Sequence, residues 1–278
     1  MEEQISDLSR VLDLETIEVN IYRGKNEYRQ NKRLFGGQVL AQALSAAYRT
    51  VESERVCHSL HGYFLRPGDT EHQVIYQVDP IRTGQSFTTR RIKAIQKGEA
   101  IFSMDASFQI IEDGLSHQID LDMVLPRAEE LEDDHEVAKQ KGKATHWSHR
   151  KRPFEIRTIK NIKGNRGASW IRYRHETLSK GDPQHQLLLS YASDMGLIST
   201  AMIPHKMSPS QNMQIASLDH AIWFHRPFSV SDWILFLRET PAAGGARGFT
   251  RGSFYSAEGE ILASVMQEGL IRVRQDST

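Results

Sequence analysis

Three side chains in the C-terminal half of this 278-residue chain, Asp194, Ser217 and Gln267, fall where an internally similar N-terminal half has no strong hydrogen-bonding group. Alternate residues of a strand share a face. Gln267 shares a predicted strand face with Ile261, Ala263 and Val265; the matching face of the first half carries Ala100, Phe102, Met104, Ala106 and Phe108, with Ala106 in the place of Gln267. A carboxamide on a core face costs about 1–3 kcal/mol for each group left unpaired. Gln267 is therefore either a structural bridge or part of a site. Ser217 falls opposite Cys57, and of the two only the hydroxyl is a strong donor and acceptor. Asp194 opens an apolar stretch, 194–203, that reads as a short helix stopped by Pro204. A carboxylate at a helix start is commonly a cap or dipole partner. Each residue has an ordinary structural explanation. Together they supply a carboxylate, a hydroxyl and a carboxamide, a set able to take a proton and hold a small polar molecule.

The elements that must position them repeat along the chain. Residues 34–48 place Val39, Leu40, Ala43, Leu44, Ala46 and Ala47 around much of a helix, which predicts a largely buried one. Strand-like segments follow at 58–66, 72–78, 86–95 and 100–111, separated by Pro67-Gly68, Thr83-Gly84 and Lys97-Gly98. The C-terminal half repeats the order, with a strand at 170–175, the helix at 194–203 and strands at 215–226, 232–239, 248–256 and 260–273. Residues repeat too: Tyr63-Phe64-Leu65-Arg66-Pro67 matches Trp223-Phe224-His225-Arg226-Pro227, and Gly98-Glu99 matches Gly259-Glu260. Two copies are too few for a solenoid. The expected organisation is an N-terminal repeat (1–113), a charged linker with a short surface helix around 127–139 (114–152) and a C-terminal repeat (153–278). One buried helix followed by antiparallel strands in each copy is an α+β pattern, and the copies are expected to join into one sheet.

Composition narrows the function. Lys+Arg and Asp+Glu both number 35, so the net charge is zero and no basic stripe marks a nucleic-acid partner. Cys57 is the single cysteine, which removes an intrachain disulfide and a cysteine-built zinc site. No apolar run reaches the ~20 residues of a membrane span. The acidic start lacks a signal-peptide pattern, and the chain does not end in a peroxisomal tripeptide; cytoplasm is the expected location. Gly-x-Ser-x-Gly, His-Glu-x-x-His and Walker patterns do not occur. On a continuous strand His220 would face away from Ser217, so His58, His61, His220 and His225 read as packing or hydrogen-bonding residues.

Arg33-Leu34-Phe35-Gly36-Gly37-Gln38, Leu218-Asp219-His220-Ala221-Ile222-Trp223-Phe224-His225-Arg226-Pro227-Phe228 and Gln267-Glu268-Gly269 resemble the type II acyl-CoA thioesterases. The resemblance implies a double hot-dog fold, each copy a long helix wrapped by an antiparallel sheet. It implies hydrolysis of fatty acyl-CoA to free fatty acid and CoA, with no cofactor or metal. The family's catalytic Asp, Ser/Thr and Gln, which hold the attacking water, fall on Asp194, Ser217 and Gln267. In that mechanism Asp194 is the general base, Ser217 and Gln267 fix the water, and backbone N–H groups near 194–196 are expected to steady the oxyanion. A homo-oligomer, such as a tetramer, is the family's habit. Two other readings share the fold: an acyl-thioester hydratase or dehydratase, for which Asp219-His220 is a poor His–Asp pair, and a non-catalytic acyl-CoA sensor, which would be expected to lose Asp194 or Gln267.

Overall fold

The computed structural model describes residues 8–27, 32–142, 153–175, 181–209 and 212–273. Its first half runs α1 (Ser9–Leu12), β1 (Glu15–Glu18), β2 (Ile21–Gly24), α2 (Gly36–Tyr48), β3 (Arg55–Phe64), β4 (Val74–Thr83), β5 (Phe87–Gln96) and β6 (Glu99–Ile110). A connecting stretch carries a 3₁₀ turn (Ala128–Glu130) and α3 (Asp134–Gln140). The second half runs β7 (Phe154–Ile159), β8 (Arg166–Tyr173), α4 (Pro183–Ser193), a 3₁₀ segment (Ile198–His205), β9 (Met213–Ser217), β10 (Asp219–Phe224), β11 (Ile234–Gly244), β12 (Arg247–Tyr255) and β13 (Ile261–Val273).

The strands form one sheet in the order β1-β2-β4-β5-β6-β3-β10-β13-β12-β11-β8-β7, with β9 on β13. Outward from the middle, β3-β6-β5-β4-β2 is repeated by β10-β13-β12-β11-β8, so the α+β double repeat expected from the sequence is present. The halves meet where β3 pairs antiparallel with β10, His61 opposite Ala221, Leu60 opposite Ile222 and Gly62 opposite His220. His61 thus faces its own repeat counterpart, which places a pseudo-two-fold axis between the two strands. The pairing also removes one exposed edge from each half.

Helix α2 is buried from Gly37 to Ala47 and lies against β2, β4, β5 and β6. Its polar side chains are paired: Gln42 Nε2 donates to the Val11 and Lys25 carbonyls at 2.6 and 2.7 Å, Tyr76 Oη donates to Gln42 Oε1 at 2.7 Å, and Ser45 Oγ donates to the Leu12 carbonyl at 2.9 Å. These bonds tie α1 and the end of β2 to the helix without leaving a buried amide unsatisfied. Along the connecting stretch, Trp170 Nε1 donates to the Pro126 carbonyl at 2.9 Å, and Gln118 bonds the backbone of Gly259 and Ile261 at 3.0 and 3.1 Å. That stretch therefore lies along the second half. Helix α3 starts later than expected because the Asp133 carboxylate accepts from His135 N at 3.1 Å and caps it; most of the basic run that follows lies outside the described residues.

The helix of the second half differs from its expected place. It is α4, not 194–203. Asp182 caps it by accepting from Gln184 N at 2.8 Å, with Pro183 in the first turn. The apolar residues after 194 form the separate 3₁₀ segment, which includes Pro204. By length and composition the stretch Pro183–His205 could cross a membrane, but 67% of its apolar window is buried inside the protein, as suits a core helix. Helices α2 and α4 run antiparallel. Tyr48 at the end of α2 donates to Gln186 near the start of α4, and Gly37 at the start of α2 meets Tyr191 near the end of α4.

That last approach demands glycine. A Cβ on Gly37 would lie 2.3 Å from the Tyr191 carbonyl oxygen, and one on Gly36 would lie 2.7 Å from Asp194 Oδ2. Overpacking of this kind costs about 1–3 kcal/mol. Gly37→Ala should therefore lower the urea-unfolding free energy by that amount, while a substitution at exposed Gln140, the last residue of α3, should leave it nearly unchanged.

Candidate active site

Asp194 follows the last residue of α4 and is 8% exposed. The expectation that it opens the second helix is therefore reversed: it stands at that helix's C-terminal end. It serves instead the start of α2, in the other half. Helix α2 begins at Phe35 with no side-chain cap of its own, and the N–H of Gly37 donates to Asp194 Oδ2 at 3.0 Å. The amino end of a helix carries partial positive charge and favours an anion. The carboxylate is thus a cap supplied across the molecule.

Its other oxygen faces the remaining two residues singled out in the sequence. Gln267 Nε2 donates to Asp194 Oδ1 at 2.8 Å and to Ser217 Oγ at 2.9 Å, and Ser217 Oγ lies 3.4 Å from Asp194 Oδ1. The structure brings all three together. Gln267 is fully buried on β13, and its Oε1 has no partner among the described residues. A buried amide oxygen is nearly always paired, with water where protein supplies no donor.

Two cavities meet at Asp194. One of about 490 Å³ includes Ser217 and is walled by Leu34, Phe64, Phe102, Ile198 and Ile215, with Arg33 and Arg66 among its other lining residues. The other, of about 420 Å³, is lined by Phe35, Ile156, Tyr191, Met195 and Arg238. Burial pulls the Arg238 guanidinium down to about 10, so it stays charged at neutral pH. No group of three or more His, Cys, Asp or Glu side chains among the described residues is arranged to hold a metal ion.

A fourth residue was missed. The strand expected over 215–226 is broken at Leu218 into β9 and β10. Leu218 N donates to the Glu268 carbonyl at 2.9 Å, and the Asp219 carboxylate takes the Glu268 N–H at 2.6 Å in place of a backbone acceptor. The irregularity is a bulge, and a bulge resets which side chains face which way. His220 therefore points to the same side as Ser217, not the opposite one. It is 1% exposed, with Nδ1 3.2 Å from Gln267 Nε2 and Nε2 2.8 Å from Ser193 Oγ. The β3 strand has its own irregularity at the matching place, between Cys57 and Ser59, and Leu60 stands where His220 stands. The comparison that selected Gln267 against Ala106 would have selected His220 against Leu60 once the bulge was allowed for.

Two of the backbone N–H groups near 194–196 that are expected to steady an oxyanion already have a partner. Asp194 N and Met195 N both donate to the Ala192 carbonyl, at the negative end of α4. The helix start facing the site is that of α2, whose first N–H groups have no partner within the helix.

A sheet-wrapped helix duplicated in one chain, with a carboxylate, hydroxyl and carboxamide meeting beside two cavities, defines a double hot-dog protein. Residues 26–109 match the family "Acyl-CoA thioesterase N-terminal domain" and residues 139–270 the family "Acyl-CoA thioesterase". Acyl-CoA thioesterase 2 of Haemophilus influenzae is 38% identical, over 98% of this chain and 99% of its own. The crystal structure of an acyl-CoA thioesterase II, TesB2, from Mycobacterium marinum superposes with a TM-score of 0.81 at 37% identity, covering 98% of this chain and 99% of that one. A conserved hot-dog-fold protein from Alicyclobacillus acidocaldarius shares the fold, with a TM-score of 0.77 at 17% identity over 96% and 98% of the two chains. The chain belongs to the acyl-CoA thioesterase family.

Burial pushes His220 down to about 3, from 6.5 for an exposed ring. Between those values the unfolded chain takes up a proton that the native ring refuses. Stability is unaffected above the upper value and falls below it, by up to about 1.4 kcal/mol per pH unit. His220→Leu removes this contribution. The urea-unfolding free energy of the wild type should therefore fall relative to that of the variant as pH drops from about 6 to about 4, at up to that rate. Parallel pH profiles would mean that the ring is not held neutral.

Proposed function

We propose that this acyl-CoA thioesterase cleaves its substrate with a water molecule held by Asp194, Ser217 and Gln267. The observation that carries this reading is the meeting of the three side chains within 2.8 to 3.4 Å, beside an amide oxygen of Gln267 that has no protein partner among the described residues. A carboxylate offers about four acceptor positions. Gly37, Gln267 and Ser217 approach that of Asp194, and one proton of the water lies toward the same carboxylate. The water's second proton lies toward Gln267 Oε1. So held, its lone pair is free to meet the thioester carbon, a positioning effect.

As the oxygen–carbon bond forms, Asp194 takes a proton as general base, a role typically worth about 10²- to 10⁴-fold. The carbonyl oxygen gains negative charge, and we assign its stabilisation to the Gly36 N–H at the start of α2, since the Gly37 N–H is held by Asp194. Collapse of the intermediate breaks the carbon–sulfur bond. The CoA thiolate leaves and is protonated, and the acyl group departs as free acid. The apolar walls of the larger cavity support placing a fatty acyl chain there. A homo-oligomer in the cytoplasm completes the proposal. The buried, unpaired Cys57 suits a reducing compartment, and light scattering that gave the mass of one chain would remove the oligomer.

Asp194→Asn can still accept from Gly37 N–H but cannot take a proton. Thiol release from a panel of acyl-CoAs should fall by at least about 10²-fold, with the far-ultraviolet circular dichroism of the fold retained. Near-normal turnover in the variant would defeat the assignment.

A further inference from the structure

Behind Gln267 runs a line of hydrogen bonds that holding a water does not by itself require. Gln267 Nε2 lies 3.2 Å from His220 Nδ1, His220 Nε2 lies 2.8 Å from Ser193 Oγ, and Ser193 Oγ lies 2.8 Å from the Ser190 carbonyl oxygen. Ser193 and Gln267 are 0% exposed and His220 1%. The direction of each bond follows from counting protons. The Ser190 carbonyl can only accept, and a hydroxyl has one proton to give; Ser193 spends it there. His220 Nε2 then faces a lone pair and must carry the ring proton. A neutral imidazole has one N–H, so Nδ1 is left as an acceptor. The Gln267 atom facing Nδ1 must be the amide nitrogen. One amide proton reaches His220, and the other lies between Asp194 Oδ1 and Ser217 Oγ. The opposite amide orientation would set an oxygen lone pair against the Asp194 carboxylate.

The two halves support the pairing of these residues. Where the second half has His220 beside Gln267, the first has Leu60 opposite Ala106. Histidine and glutamine are present together and absent together.

We propose that Ser193 and His220 are positioning residues: a one-way run of donors, anchored on the Ser190 carbonyl, orients the Gln267 carboxamide with its nitrogen toward Asp194 and Ser217 and its oxygen toward the attacking water. This rests on the reading of Gln267 as a water-holding group, but the proton direction can be tested apart from it. Burial supports it by keeping the His220 ring uncharged.

The test uses full-length protein labelled with ¹⁵N-histidine and two-bond ¹H–¹⁵N correlation spectra. His220 is identified among the twelve histidines by loss of its signal in His220→Leu. The expected result is a neutral ring protonated at Nε2, unchanged from about pH 8 to about pH 5. A ring protonated at Nδ1, or charged at neutral pH, overturns the proposal. Kinetics give the second measurement. His220→Leu should lower kcat by at least about 10-fold with KM within about 3-fold, because the substrate pocket is untouched while the water loses its holder. His220→Asn, whose Oδ1 can still accept from Gln267, should recover part of that loss. Equal rates for the two variants, or a wild-type kcat in His220→Leu, overturn the proposal. Should His220→Leu fail to fold, Ser193→Ala carries the test: the ring should lose its fixed tautomer and kcat should fall by at least about 10-fold, and unchanged values in both would sink the idea. Wild-type turnover in Asp194→Asn would defeat the proposed chemistry and leave the tautomer result standing.

Discussion

The contact between the start of α2 and the end of α4 is the constraint on which the rest depends. Helix α2 comes from one half and has no cap of its own. Asp194 comes from the other half and, as a nearly buried anion, needs donors. Gly37 N–H, Gln267 and Ser217 supply them. Hydrogen bonds to a charged group contribute about 1.5–3 kcal/mol each, and a buried carboxylate left without them would cost more than it contributes. The two glycines exist to let the helices approach closely enough for this to happen. The site therefore cannot form in either half alone, since its carboxylate, hydroxyl and carboxamide belong to the second half and its helix dipole to the first.

The pseudo-two-fold axis at β3 and β10 relates this place to an equivalent one that lacks its polar set. There Cys57 stands for Ser217, Leu60 for His220 and Ala106 for Gln267. Burial pushes the Cys57 thiol well above its ordinary range, so it is no nucleophile. The cavity at that place, lined by Cys57, Gln186, Phe224 and Phe228, is about 210 Å³, less than half the size of the cavity beside Ser217. Apolar packing has replaced the polar set. One half holds the polar set, and the other supplies the helix start that its carboxylate caps.

Comparison of the halves works because core packing and site chemistry impose opposite demands on one position. A strand face that buries Phe102, Met104 and Ala106 has no use for an amide, so Gln267 stood out against its counterpart. Ser217 stood out against Cys57 for the same reason. Asp194 lies at the opposite end of a helix from the one the sequence pattern suggests. Residues on both sides of it are uncharged and mostly buried, and periodicity alone does not mark where such a run stops turning as an α-helix. The marker was present upstream in Asp182-Pro183, a cap followed by a first-turn proline. His220 was assigned to the wrong face because strict alternation holds only while a strand is regular, and the bulge at Leu218 shifts it by one.

The sequence by itself determined the duplication, the α+β class, the buried character of α2 and the three polar residues that break the match between halves. All of these are carried by local pattern: period, turn residues, and substitution of polar for apolar at equivalent places. Tertiary structure alone decided which helix start faces Asp194, that Leu218 bulges, and that Ser193 and His220 stand behind Gln267. Those facts depend on distances between residues as far apart as Gly37 and Asp194. No local preference encodes such a distance; it is set by how two sheet-wrapped helices pack across the β3–β10 seam.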